Sequence, residues 1–203
     1  YGDAIACCQT SQSIAERAVQ DPTVACFAYG AFAHWFLGMP DQAVEWNRAA
    51  LARAQELAHP FSLVFSVDMA ASLHMCRGEV DEARQQAEAL LTLAQDQEFT
   101  FWEGTARMTL GWALTRQGQA DQGLAQMERG LAVFRATGAQ TSQTLYLTMF
   151  AEIRGRREEF DKGLTLLDEA FAAARRTGER FYEAEMYRVK GELLLQRANQ
   201  KAK

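Results

Sequence analysis

Two histidines 40 residues apart, His34 and His74, are the first side chains in this sequence that invite a chemical reading. Imidazole nitrogens are common metal ligands, but a site needs further donors at close range, and the next residues on the same spacing are Leu114 and Arg154. Packed helical histidines fit better, and no metal ligand set is expected. The stretch from Gly118 to Gly123 has the two glycines of a phosphate-cradling loop. Leu124 and Ala125 stand where such a loop needs lysine and a hydroxyl residue, and the same stretch recurs as a turn elsewhere in the chain. Glu158-Glu159 and Asp168-Glu169 are adjacent carboxylates on expected helix surfaces, where solvated charge is the ordinary state. Cys7, Cys8, Cys26 and Cys76 show neither CxxC spacing nor a secreted framework, so reduced thiols of a cytoplasmic protein are expected. No hydrolase, metalloprotease or kinase signature occurs. The expectation is a non-catalytic chain with no cofactor.

What positions these residues is a repeat. Asp41-Gln42-Ala43, Asp81-Glu82-Ala83, Asp121-Gln122-Gly123 and Asp161-Lys162-Gly163 recur at a spacing of 40 without slippage. Three residues before each aspartate stand Gly38, Gly78, Gly118 and, as the exception, Glu158. Leu51, Leu91, Leu131 and Phe171 hold a second register, and Ala31, Ala71, Gly111, Ala151 and Gly191 a third. A glycine that takes the left-handed conformation ends one helix, and an aspartate suits the start of the next as cap and as dipole partner. The small residues let two antiparallel helices approach closely. Thr137-Gly138 and Thr177-Gly178 mark further helix ends, and Asp21-Pro22 and His59-Pro60 mark starts. Phe61, Phe101 and Phe181 follow these breaks.

The 203 residues therefore read as all-α, a right-handed α-α superhelix of about ten antiparallel helices. The expected helices cover about 3–19, 22–37, 41–58, 61–77, 81–97, 100–117, 121–137, 141–156, 160–177 and 180–198. They make one domain with repeats at about 21–59, 60–99, 100–139 and 140–179, and partial repeats at 1–20 and 180–203. Ala4, Ile5, Cys8, Ile14 and Val19 at one end, and Tyr187, Leu193, Leu194 and Leu195 at the other, are too apolar for solenoid caps. Together with a first residue, Tyr1, that is not methionine, this leads us to expect an excerpt of a longer polypeptide, with further repeats or a homodimer covering the ends. The net charge of −5 opposes general affinity for nucleic acid. Residues 1–100 carry 5 basic against 13 acidic side chains, and residues 101–203 carry 16 against 13, so the array is graded from acidic to mildly basic. No run of about 18 apolar residues suggests a membrane span.

With Gly118 as the turn glycine, Gly111 and Gly123 fall on the small positions of two paired helices, and the pattern resembles the tetratricopeptide (TPR) hairpin. The period exceeds the usual length of about 34 residues. This longer form resembles the TPR-like arrays of bacterial signalling ATPases, including MalT-type regulators, and of multidomain adenylate/guanylate cyclase-like proteins. The segment from Glu185 to Leu195 is similar to a recurring stretch of the latter group. The resemblance implies signal reception, autoinhibition or assembly through a protein or peptide partner, including other domains of the same polypeptide. A small-molecule inducer is a subsidiary alternative. The catalytic modules of those families lie elsewhere in their chains.

In TPR-like stacks the first helix of each hairpin lines a concave groove. Helical phasing then assigns Ala28, Phe32, Trp35 and Phe36 to it, followed by Asp68, Ser72, Met75 and Cys76. Met108, Trp112, Thr115 and Arg116 come next, and Thr148, Glu152, Gly155 and Arg156 close the series. The groove should thus run from aromatic to polar. Trp35 and Phe36 read equally as core packing and as anchors for a partner.

Overall fold

A computed structural model describes residues 20–201, and the helix expected at 3–19 lies outside them. Nine helices occur among the described residues: α1 (Pro22–Phe36), α2 (Pro40–Leu57), α3 (Pro60–Arg77), α4 (Val80–Asp96), α5 (Thr100–Arg116), α6 (Ala120–Ala136), α7 (Gln143–Arg156), α8 (Phe160–Thr177) and α9 (Glu183–Lys201). Consecutive helices pair as α1/α2, α3/α4, α5/α6 and α7/α8, and α9 packs on both α7 and α8. The odd-numbered helices also touch one another in series, so they form the inner layer of a right-handed TPR-like superhelix and the even-numbered ones the outer layer.

The outer helices show the cleanest sequence logic. Ala43, Asn47, Ala50 and Ala54 are the buried stripe of α2, and Ala83, Ala87, Leu90 and Ala94 repeat it one period later in α4. The inner helices are enclosed on several sides at once. In α5 eleven of 17 residues are buried, from Trp102 through Leu114, because α3, α4, α6 and α7 all pack on it.

The small-residue registers are helix crossings. A β-carbon on Gly111 would sit 2.5 Å from the Gly123 carbonyl oxygen, and one on Gly123 would meet the Gly111 carbonyl at the same distance. Ala31 and Ala43, or Ala71 and Ala83, fill the same positions in the first two hairpins and are buried. In α9 the equivalent Gly191 faces open space. The turns repeat as well. Gly38, Gly78 and Gly118 all have φ between 74° and 85°, and Glu158, the exception in the sequence, is forced to φ 61°. A second left-handed register comprises Ala58, Glu98, Gly138 and Gly178.

The aspartate register departs from expectation. Asp21 does cap α1, accepting from the Val24 amide at 3.0 Å, and His59 accepts from the Ser62 amide at the start of α3. Asp41, Asp81, Asp121 and Asp161, however, lie one residue inside their helices. The cap positions are Met39, Glu79, Gln119 and Glu159, and none of these makes a side-chain cap bond. Three of the aspartates reach the next repeat instead. Asp81 accepts from Gln117 at 2.6 Å, Asp121 from Arg157 at 2.6 Å and Asp161 from Arg197 at 2.8 Å. Arg77 holds the corresponding position in the first interval, bonding the Pro40 carbonyl at 3.0 Å. Helices that begin with the residue before the aspartate leave its carboxylate beside the following inner helix, where Gln117 and Arg157 just past α5 and α7, and Arg197 near the end of α9, supply donors. The register is a repeat-to-repeat tie that retains a favourable charge at the helix start.

Candidate functional site

The described part of the superhelix curls until α1 and the segment before α9 meet across the groove. Phe36 on α1 and Phe181, just before α9, lie edge to face with ring centroids 5.9 Å apart. Beneath them is a recess of about 270 Å³. α1 contributes Tyr29, Phe32 and Phe36 to it, α3 contributes Asp68, Met69 and Ser72, and α7 with its leading loop contributes Thr141, Ser142, Leu145 and Tyr146. Glu179 and Phe181 complete the wall. Tyr29 is 61% exposed, Phe36 52% and Phe181 43%.

Two carboxylates face this recess and no lysine, arginine or histidine among the described residues lines it. They are held differently. Glu179 accepts from the Ser142 amide at 2.6 Å, the Thr144 amide at 3.2 Å and the Thr144 hydroxyl at 2.7 Å. It therefore caps the N-terminus of α7 from one repeat further on, where the helix dipole favours its charge. Among the described residues, Asp68 accepts only the Thr105 hydroxyl, at 2.7 Å. Burial pushes its carboxyl up from the ordinary 3.8 to about 6, against a smaller opposing pull from that hydroxyl. The neighbouring Tyr146 phenol is raised well above its usual range, first by burial and then by the charge of Asp68.

The far end of the groove is organised by pairing. Arg156 donates to Glu152 at 2.9 Å, Arg116 approaches the same carboxylate at 3.7 Å, and the Arg116 guanidinium stacks 5.5 Å from the centroid of Trp112. Arg188 bonds Glu185 and Glu192. Cys76 faces this cluster, and burial, with Glu185 nearby, pushes its thiol up to about 12.

Of the residues phased to the groove, Phe32, Phe36, Asp68 and Ser72 line the recess, and Arg116, Glu152 and Arg156 form the paired end. Ala28, Met75, Met108 and Trp112 lie in the core. The physical reason is that an inner helix packs on its hairpin partner and on the preceding and following repeats, leaving a strip narrower than simple phasing allows. Trp35 is half-buried against Ala31, Ala43 and Leu73. Thr148 is buried and returns its hydroxyl to the Thr144 carbonyl, and Gly155 lies beneath Leu193. Leu193 is accordingly a core residue rather than part of an exposed end, whereas Tyr187 and Leu195 are exposed. Tyr29, Tyr146 and Glu179 were not visible as groove residues. Phe181 had a register signal, but no local pattern places residue 181 beside residue 36. His34 packs its ring edge on Trp46 at 4.9 Å, and His74 Nδ1 lies 2.7 Å from Glu79. Among the described residues no three His, Cys, Asp or Glu side chains are grouped to hold a metal, and no helix is long and apolar enough to cross a membrane.

No family model matches the chain. It is 22% identical over 182 residues to an uncharacterised protein of Rhizobium meliloti (strain 1021), a match covering 90% of this chain and 18% of that one. Among solved structures it resembles aspartyl phosphate phosphatase F from Bacillus subtilis, with a TM-score of 0.62 at 16% identity, over 88% of this chain and 47% of the other. The chain thus spans less than half the length of either protein.

Proposed function

We propose that this chain is a non-catalytic interaction scaffold that holds a peptide or extended protein segment in its concave groove. The observation that carries the reading is the convergence of Tyr29, Phe36 and Phe181, all substantially exposed, on one recess between α1 and the segment before α9. Exposed aromatic side chains are costly in water unless a partner covers them, and aromatic anchors beside a polar rim are the usual anatomy of a binding surface. Thr141, Ser142 and Glu179 supply polar groups in the wall of the same recess. Likeness to the Bacillus subtilis protein at 16% identity carries the fold and not that protein's activity.

The scaffold works, in this reading, inside a longer cytoplasmic signalling polypeptide with a nucleotide-cyclase or ATPase module. The resemblance of the Glu185–Leu195 segment supports it, as does the small share of the Rhizobium meliloti relative that the match covers. Tyr187, Leu194 and Leu195 on α9 offer an apolar face for a neighbouring repeat, another domain or a second copy.

Selection of a phage-displayed random dodecapeptide library on the purified chain tests the groove. The expected result is a recurrent motif whose affinity drops roughly 30-fold in Phe36→Ala, as for a central aromatic anchor. Failure to enrich any motif, or motifs indifferent to Phe36 and Phe181, rejects the groove as a peptide site.

A further inference from the structure

We propose that the recess under Phe36 and Phe181 receives a basic side chain, arginine or lysine, of the peptide held in the groove. This rests on the peptide-scaffold reading and adds the chemistry of the anchoring residue.

Three independent features converge. The first is size. At about 270 Å³ the recess falls just below the range of pockets that enclose whole drug-sized ligands, about 300–1,000 Å³, and it suits one long side chain entering from the groove. The second is charge. Asp68 and Glu179 face the space with no cation opposite them among the described residues, and Glu179 is already engaged by three donors of α7. Asp68, for which the Thr105 hydroxyl is the one donor among the described residues, is the carboxylate left for an ion pair. The third is the aromatic lining. Tyr29, Phe32, Phe36 and Phe181 surround the entrance with ring surfaces, which attract a guanidinium or ammonium and cover its aliphatic stem.

The alternatives are less favourable on the same geometry. An acidic side chain would meet two carboxylates. An aliphatic one would satisfy the rings but seal Asp68 away from water without a charge partner, which is costly for an ionised group. A basic side chain satisfies rings and carboxylate together.

Two measurements test this. In the first, the capped amino acids N-acetyl-arginine methylamide, N-acetyl-lysine methylamide, N-acetyl-norleucine methylamide and N-acetyl-glutamate methylamide are titrated into the chain, following the NMR methyl signal of Met69. The arginine or lysine probe should give a saturable shift, at least tenfold weaker in Asp68→Asn. The norleucine and glutamate probes should bind at least tenfold more weakly than the better basic probe. An asparagine side chain at position 68 can still accept from Thr105, so the variant should retain the fold; circular dichroism checks this. In the second, the dodecapeptide selection is repeated on Asp68→Asn. Groove peptides from the unaltered chain should share an arginine or lysine position, and the preference at that position alone should vanish in the variant. Equal binding of norleucine, or indifference to Asp68→Asn, overturns the proposal. Groove peptides without a basic position overturn it while leaving the peptide scaffold standing. Basic probes that bind through Asp68 when no peptide is selected reject the scaffold but keep the cation pocket.

Discussion

The two ends of the groove are built on the same scaffold and solve the problem of charge in opposite ways. Where α5 and α7 end, Glu152 sits between Arg116 and Arg156, so the carboxylate has its counter-charges within the chain. In the recess that α1, α3 and the start of α7 share, Asp68 has, among the described residues, one hydroxyl and a lining of aromatic side chains. The first arrangement is complete without a partner; the second carries a standing cost that a bound cation would remove. Beneath both lies a periodic spine of turns, crossings and repeat-to-repeat ties. The comparison teaches that the repeating contacts run along the whole period, whereas the carboxylate without a counter-charge lies where the period is broken.

If that separation holds, changes to the spine should cost stability and changes to the recess should not. The largest effect is expected from Gly123→Ala. Its β-carbon would lie 2.5 Å from the Gly111 carbonyl and 2.3 Å from the Thr115 hydroxyl, so α5 and α6 must move apart. A loss of about 3 kcal/mol is expected, measured by denaturant unfolding, at the upper end for inserting a methyl group into a packed core. A variant of unchanged stability would mean that the crossing is loose.

Asp68→Asn should do the reverse. The carboxyl is held near 6 in the folded chain and near 3.8 when unfolded, so the folded state binds the extra proton. Stability from this group is complete below about pH 4, falls as pH rises to about 6, and stays lost above it. Replacing the carboxyl by an amide should therefore stabilise the chain by roughly 2–3 kcal/mol at pH 7 and by little at pH 4. Unfolding free energies across that range check it, and destabilisation at pH 7 would make Asp68 part of the spine.

Glu158→Gly sharpens the account of the turns. It relieves a left-handed φ of 61° at the one place where the turn glycine is missing. The expected gain is about 0.5–1 kcal/mol, since non-glycine residues are penalised in that conformation and glycine gives back part of the difference through chain entropy. A comparable gain in melting temperature should follow at Ala58→Gly, the equivalent strain in the other turn register. Smallest of all is Asp121→Ala. Its bond to Arg157 is exposed, so the loss should stay under about 1 kcal/mol and shrink further in high salt.

Much of this was written in the sequence. The exact period, the turn glycines, the small residues at the crossings and every boundary from α1 to α9, within about three residues, follow from local preferences that repeat at a fixed interval. So does the position of Phe32, Phe36 and Asp68 on the inner layer. What a helix end does to its own backbone is a short-range matter, and short-range matters are legible.

Three things were not. The aspartate register serves the next repeat rather than its own helix, which depends on where a neighbouring helix stops. Met108 and Trp112 are core because four helices crowd α5, and one helix's phase cannot count its neighbours. The recess itself joins residues 29–36 to residues 179–181 through the accumulated twist of the stack. Each repeat adds only a small rotation, and only the sum over the hairpins between α1 and α9 decides that Phe36 and Phe181 meet. The sequence by itself determined the repeating unit; the tertiary structure decided which of its unlike faces close on one another, because that closure is a property of the whole array and of no segment within it.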